Sequence, residues 1–192
     1  LGVNNDSLFN VWNNGSENDT NRLKAIQMLI SQKYMLTNPD STILLAHNMY
    51  DLAFRTHKIR WMANSLKFSG IGHYYKSELK LCLEDFKKSV SLFNSIKRNL
   101  DAALVLNNMA AVYRLKGNFV ASILNYQKAE KIFKELNEND KLLAIQFNIG
   151  AVYLEMEDYQ KALNYTQNAL AGFLEINDEI KIVNALNNIG NI

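Results

Sequence analysis

The chain has 192 residues, a formal net charge of +2 and a hydrophobic fraction of 48%. That balance, without a long basic run, leaves no electrostatic footprint for nucleic acid, and no window reaches the roughly 18 clean apolar residues that a membrane span needs. Cys82 is the single cysteine, which excludes an internal disulfide framework.

The chain opens at Leu1 without the features of a secretory signal peptide, and its end, IVNALNNIGNI, stops inside a helical pattern. A fragment of a longer protein is therefore expected. One proline, few glycines and widespread helical periodicity give an all-α reading. Residues 1–17 are Asn-rich and lack a period, so a tail is expected there, pinned by Phe9 and Trp12. A helical hairpin follows, Asn21 to Leu36 and then Pro39 to Thr56, with Pro39 suited to the first turn of its helix.

Downstream the sequence repeats itself with a period of about 40 residues. Laid over QFNIGAVYLEMEDY, the stretch LNNMAAVYRLKGNF puts Asn108 on Asn148, Ala110 on Gly150, Tyr113 on Tyr153 and Phe119 on Tyr159. A further step brings Asn188 and Gly190 into register, and Phe93, Phe133 and Phe173 share the spacing. Ser65 to Phe93 fits more loosely, with Gly70 at the small position and His73 at the tyrosine position. Each unit holds two helical stretches, about 101–116 and 119–136 in the clearest copy, broken at Gly117-Asn118 and at NEND. Such a hairpin cannot bury its apolar face alone, and stacked copies bury it against each other. The expected boundaries are a tail over 1–17 and repeats over 18–57, 58–100, 101–140 and 141–178, with a partial repeat over 179–192.

This pattern resembles the tetratricopeptide repeat. The matching features are the small residue of the first helix (Gly70, Ala110, Gly150, Gly190) and the aromatic three positions on (Tyr113, Tyr153). An aromatic opens the second helix (Phe119, Tyr159), and small residues follow inside it (Cys82, Ser122, Ala162; Ser89, Ala129, Ala169). The period of about 40 exceeds the usual 34, and the closing proline is absent. The resemblance implies an all-α, right-handed superhelical solenoid of tetratricopeptide-type hairpins. More narrowly, the NPDSTILLAHNMYDLA hairpin with its ALNNIGNI-type repeats is similar to the sensor regions of bacterial histidine kinases and adenylate or guanylate cyclases. That likeness implies a periplasmic sensor of a membrane-anchored parent, with the cytoplasm as the alternative.

In such a fold, the resemblance implies, the first helix of each hairpin lines the concave side. Asparagine is a poor helix-interior residue because its amide competes for backbone hydrogen bonds. Paired amides in an apolar helical run therefore suggest something for them to hold. The expected binding residues are Asn108, Asn148 and Asn188, with Asn107, Asn187, Asn184, Arg114, Phe147, Tyr74 and Lys67 beside them. Asn64, Phe68 and Glu155 fall on the same expected face. A carboxamide offers both a donor and an acceptor, so it can read the backbone of an extended peptide. The competing expectation is that the amides bond between neighbouring helices and glue the repeats together. Cys82 reads as a buried, inert thiol. His47, His57 and His73 lack ligand spacing, and there is no phosphate loop or nucleophile motif, so neither metal, cofactor nor catalytic residue is expected in this segment. The expected partners are a protein or peptide and a second copy of the chain; the alternatives are a free-standing regulator or a purely structural dimerisation module.

Overall fold

The computed structural model describes residues 5–192. Among them are ten α-helices and no strand: α1 (Asn5–Asn13), α2 (Asp19–Leu29), α3 (Pro39–Arg55), α4 (Ile59–Tyr75), α5 (Leu79–Ser95), α6 (Asn99–Leu115), α7 (Phe119–Glu135), α8 (Asn139–Glu155), α9 (Tyr159–Glu175) and α10 (Glu179–Gly190). A short π-helical turn, Ile30–Tyr34, continues α2. The chain divides into two compact units, Leu1–Val105 and Leu106–Ile192.

From α3 onward the helices begin at a constant step, and the reason lies in the turns. His57, Ser77, Lys97, Gly117, Asn137, Glu157 and Asn177 all have positive φ, each one the residue before a new helix's cap. The next N–H then reaches back to the carbonyl five residues earlier: Lys58 to Ala53 at 2.8 Å, Asn118 to Tyr113 at 2.9 Å, Asp178 to Phe173 at 3.1 Å. This is the Schellman closure, which satisfies orphan carbonyls at a helix end. Only Gly117 takes the left-handed conformation without steric cost. Side chains then start several of the helices. Asn38 accepts from the Ser41 N–H, Asn118 from Ala121, Asp158 from Lys161 and Asp178 from Lys181. Each such cap contributes about 1 kcal/mol.

The repeat register is written into the packing. A Cβ on Gly70 would come within 2.6 Å of the Phe86 ring, and one on Gly150 within 2.6 Å of Thr166 Oγ1. Phe86 and Thr166 each stand one repeat step, before and after, from Tyr126, the residue in register with them in the repeat whose small residue is Ala110. Phe93, Phe133 and Phe173 are each buried, as their spacing leads one to expect.

In Leu1–Val105 the core gathers Leu23, Ile26 and Ile30 with Leu45, Met49, Leu52 and Phe68. The segment expected as an aperiodic tail contains α1, whose Leu8 packs on Ala25 and Leu29 with Phe9 half-buried beside them. Trp12 packs on the larger core, its carbonyl accepts from Arg22 Nε at 3.0 Å, and the Arg22 guanidinium lies 5.3 Å from its ring centre. Helicity here comes from tertiary burial and not from periodicity. Residues 1–4 of that segment lie outside the described residues. In Leu106–Ile192, Phe173, Ala169 and Ala185 form a cluster with Leu143, Phe147 and Ile182, tying α8, α9 and α10 together.

Candidate functional site

Within Leu106–Ile192, α6 and α8 lie side by side, joined by two polar links that share the same sequence step. Arg114 donates through Nε and Nη2 to Glu155 Oε1, at 2.8 and 2.6 Å. Asn148 Nδ2 donates to Asn107 Oδ1 at 3.5 Å, and Asn107 Nδ2 donates in turn to Asn108 Oδ1 at 3.4 Å. The three amides form a relay whose two bonds are both long, and hence weak. Its ends are open. Among the described residues Asn108 Nδ2 and Asn148 Oδ1 have no hydrogen-bond partner, so the relay offers a free donor at one end and a free acceptor at the other. All three asparagines are half-buried, which shields a bond made there from competing water.

The Arg114–Glu155 pair fixes the end of the stripe nearest the helix C-termini. Its hydrogen bond raises the Arg114 pKa above the ordinary value, against the opposing effect of partial burial. Glu155 is exposed, so the pair orients the two helices more than it stabilises them. Glu155, expected on the inner face, lies 41 residues from Arg114, one more than the repeat step.

The remaining expected residues divide. Asn188 is half-buried on α10, and Asn184 and Asn187 are exposed there. Phe147 is engaged in the core and not on the binding face: its ring meets Phe173 edge-on, 6.2 Å between centroids. A ring in contact with a buried phenylalanine gains more from burial than from display. In Leu1–Val105, Phe68 and Asn64 are likewise buried, each at 5% exposure, and so do not line an open surface. Lys67 lies 4.9 Å from the Phe68 ring centre. Burial lowers its pKa, Asp101 opposes that shift, and Arg60 adds to it. Tyr74 is exposed and meets Tyr75 edge-on. The expected residues therefore do not form a single cluster; Asn107, Asn108, Asn148 and Arg114 do. Cys82 is fully buried, and burial, with Asp85 nearby, pushes its thiol pKa up to about 12, which removes the reactive thiolate at neutral pH.

Residues 101–175 match the family model for the tetratricopeptide repeat. No curated protein matches the sequence. Among solved structures, the chain is similar to a Signal Transduction ATPase with Numerous Domains protein with a tetratricopeptide repeat sensor, from Pyrococcus horikoshii. That match has a TM-score of 0.82 at 19% identity, over 91% of this chain and 27% of that one. Aspartyl phosphate phosphatase F from Bacillus subtilis matches with a TM-score of 0.81 at 14% identity, over 88% of this chain and 44% of its own. A Rap protein complexed with Competence and Sporulation Factor gives 0.80 at 12%, over 88% and 47%. This chain thus spans less than half the length of each of these three proteins. At these identities the likeness is one of fold: all-α, of the tetratricopeptide type. The tetratricopeptide reading of the repeats stands, and the histidine kinase or cyclase resemblance receives no support from these matches.

Proposed function

We propose that this segment is a non-catalytic sensor or scaffold module that binds an extended protein or peptide segment along α6 and α8. The carrying observation is the amide relay. Its free donor on Asn108 and free acceptor on Asn148 suit the alternating C=O and N–H of a peptide backbone, independent of the ligand's side chains. Arg114 of α6 and Asn184, Asn187 and Asn188 of α10 complete the proposed binding residues. Two of the fold relatives support the reading: one carries a tetratricopeptide repeat sensor, and another is complexed with a factor. The parent would be a larger signal-transduction protein, with a histidine kinase or nucleotide cyclase as the specific form that the sequence resemblance favours.

Few charges line the stripe, so binding should be modest, in the micromolar range, and only weakly dependent on salt. Selection from a display library of short unstructured peptides, followed by titration, tests this. Asn148→Ala should weaken the selected peptides by about fivefold, equivalent to the ~1 kcal/mol of one net hydrogen bond, without changing the melting temperature. Failure to select any peptide, or full affinity in Asn148→Ala, would overturn the proposal.

A second reading rests on the Asn148–Asn107 contact, which already joins two repeats. If Asn148→Ala lowers the melting temperature by many degrees and leaves binding intact, the amides are glue. A homodimer is also proposed: Ile180, Val183 and Leu186 expose an apolar face on α10, at 77%, 55% and 52%. Light scattering that gives a strict monomer at high concentration would remove it.

A further inference from the structure

Within Leu1–Val105, an open polar cleft of about 460 Å³ lies between α3, α4 and α5. One wall carries His47, Tyr50 and Asp51 of α3, the other Asp85 and Lys88 of α5, and Ser69 of α4 lies at the floor. The size is that of a small-molecule site. Ser69 is 1% exposed, and its hydroxyl has no hydrogen-bond partner. A buried hydroxyl left unpaired is destabilising, so a fold that keeps one beside a cleft has an unmet polar requirement there.

The charges follow a pattern. Each wall bears an acid and a base one helical turn apart, Asp51 with His47 on α3 and Asp85 with Lys88 on α5, about 5–6 Å between Cβ atoms. Neighbours at that spacing commonly pair with each other. Here they do not: among the described residues no ion pair joins His47 to Asp51 or Lys88 to Asp85, and the charged ends of Asp51 and Lys88 have no ion-pair partner. Asp85 lines the cleft and lies near His73 of α4. His73 Nε2 lies 3.8 Å from Asp85 Oδ2, while His73 Nδ1 lies 2.6 Å from Glu78 Oε2. The imidazole thus lies between two carboxylates, one of them at the cleft wall.

We propose that this cleft binds a small zwitterion of dipeptide length, its ammonium at an aspartate, its carboxylate at Lys88 and His47, and its polar middle over Ser69. A purely cationic ligand would leave Lys88 opposed, and a purely anionic one would meet Asp51 and Asp85. Only a molecule with both charges, separated by about one helical turn, answers every group on the two walls. This site is independent of the α6–α8 stripe.

The test is an NMR titration of the full 192-residue chain with a matched set of probes. These are alanyl-alanine, its N-acetylated form, its C-terminal amide, and free alanine. Alanyl-alanine should saturably shift the amide signals of residues 46–51, 65–69 and 85–88. The two capped forms, and alanine with its closer charges, should bind at least about tenfold more weakly. Asp51→Asn and Lys88→Met lie on exposed or half-exposed surface, should retain wild-type helicity and melting temperature, and should each weaken alanyl-alanine by about tenfold. No saturable shift, shifts elsewhere in the chain, equal binding of a capped form or of alanine, or unchanged affinity in both variants would overturn the proposal.

Discussion

Leu106–Ile192 and Leu1–Val105 follow the same helical rhythm, yet they use it differently. In the former every helix keeps the repeat step, and polar links join α6 to α8. In the latter α2 ends in a π-helical turn, and α1 stands outside the repeat. The shared part is narrow: the left-handed turn residue, the small residue facing an aromatic or a threonine, and the buried phenylalanine. Everything else is free to vary, and the chemistry sits in what varies. One unit presents amides in a stripe; the other opens a charged cleft.

The largest test of that shared frame is its phenylalanine. Phe93 of one unit and Phe133 of the other are buried to the same degree, 0% and 1% exposed. Truncating either to alanine should cost roughly 3–5 kcal/mol, measured by chemical denaturation. Equal losses would show that the two units share one packing rule. A loss below about 1 kcal/mol at either site would break the equivalence.

The small residues offer a finer contrast. Gly70→Ala drives a Cβ against the ring of Phe86, which is itself 2% exposed and has nowhere to move. Gly150→Ala meets the hydroxyl of Thr166, a far smaller obstacle, though the Ala162 carbonyl stands 3.3 Å off. Overpacking of this kind costs about 1–3 kcal/mol, with Gly70→Ala expected at the upper end. Adding Thr166→Ala should recover part of the Gly150→Ala loss; if it recovers none, the backbone contact and not the hydroxyl sets the limit.

These contrasts also mark what the sequence could disclose. Positions that every repeat must fill alike recur, and recurrence is visible: Phe93, Phe133 and Phe173 were identifiable from spacing alone, as were the breakers at Gly117-Asn118 and NEND. Positions whose role depends on one neighbour are hidden. Phe147 is expected beside Asn148 on the inner face, but it lies about 100° round the helix from it, and its ring packs into the α8–α10 cluster against Phe173. The helicity of α1 was invisible because nine residues without a clear period form a helix only against α2. The cleft lined by His47, Asp51, Asp85 and Lys88 draws on three helices, and no spacing within one of them announces it.

The turns give a smaller effect, with a sign that differs from site to site. Gly117 takes φ of 70° freely, whereas Glu157 holds φ of 60° with a side chain. The left-handed conformation costs an L-residue about 1–2 kcal/mol, part of which glycine returns through its larger unfolded-state entropy. Glu157→Gly should therefore stabilise by a few tenths to about 1 kcal/mol, and Gly117→Ala should destabilise by a similar amount. Thermal melts of the two variants should move in opposite directions. Movement in the same direction would show that the turns are not equivalent.

The smallest expected effect is electrostatic. The Asp158 carboxyl is held below the ordinary carboxylate range, first by the hydrogen bond from the Lys161 ammonium and then by the Lys161 N–H, and Lys161 is raised in return. In the other unit Glu78 is lowered chiefly by its hydrogen bond with His73. A carboxyl whose folded pKa is depressed contributes stability that is complete above its unfolded pKa of about 4, and that is lost as pH falls through the lower folded value. A raised lysine contributes below its unfolded pKa of about 10.4 and loses that contribution as pH rises through the higher folded value. At neutral pH both contributions are present. These groups are exposed, so solvent and salt screen them and the gain is slight. Asp158→Asn isolates it, because asparagine keeps the capping acceptor and removes only the charge. Its melting temperature should fall slightly below that of the parent chain at pH 7. The gap should close as the pH drops through the depressed Asp158 range, where the parent has lost the same charge, and should narrow at 1 M salt. A gap that persists in strong acid would mean that Asp158 acts through its cap geometry alone, leaving His73–Glu78 in the other unit as the test of whether any of these turns is charge-stabilised.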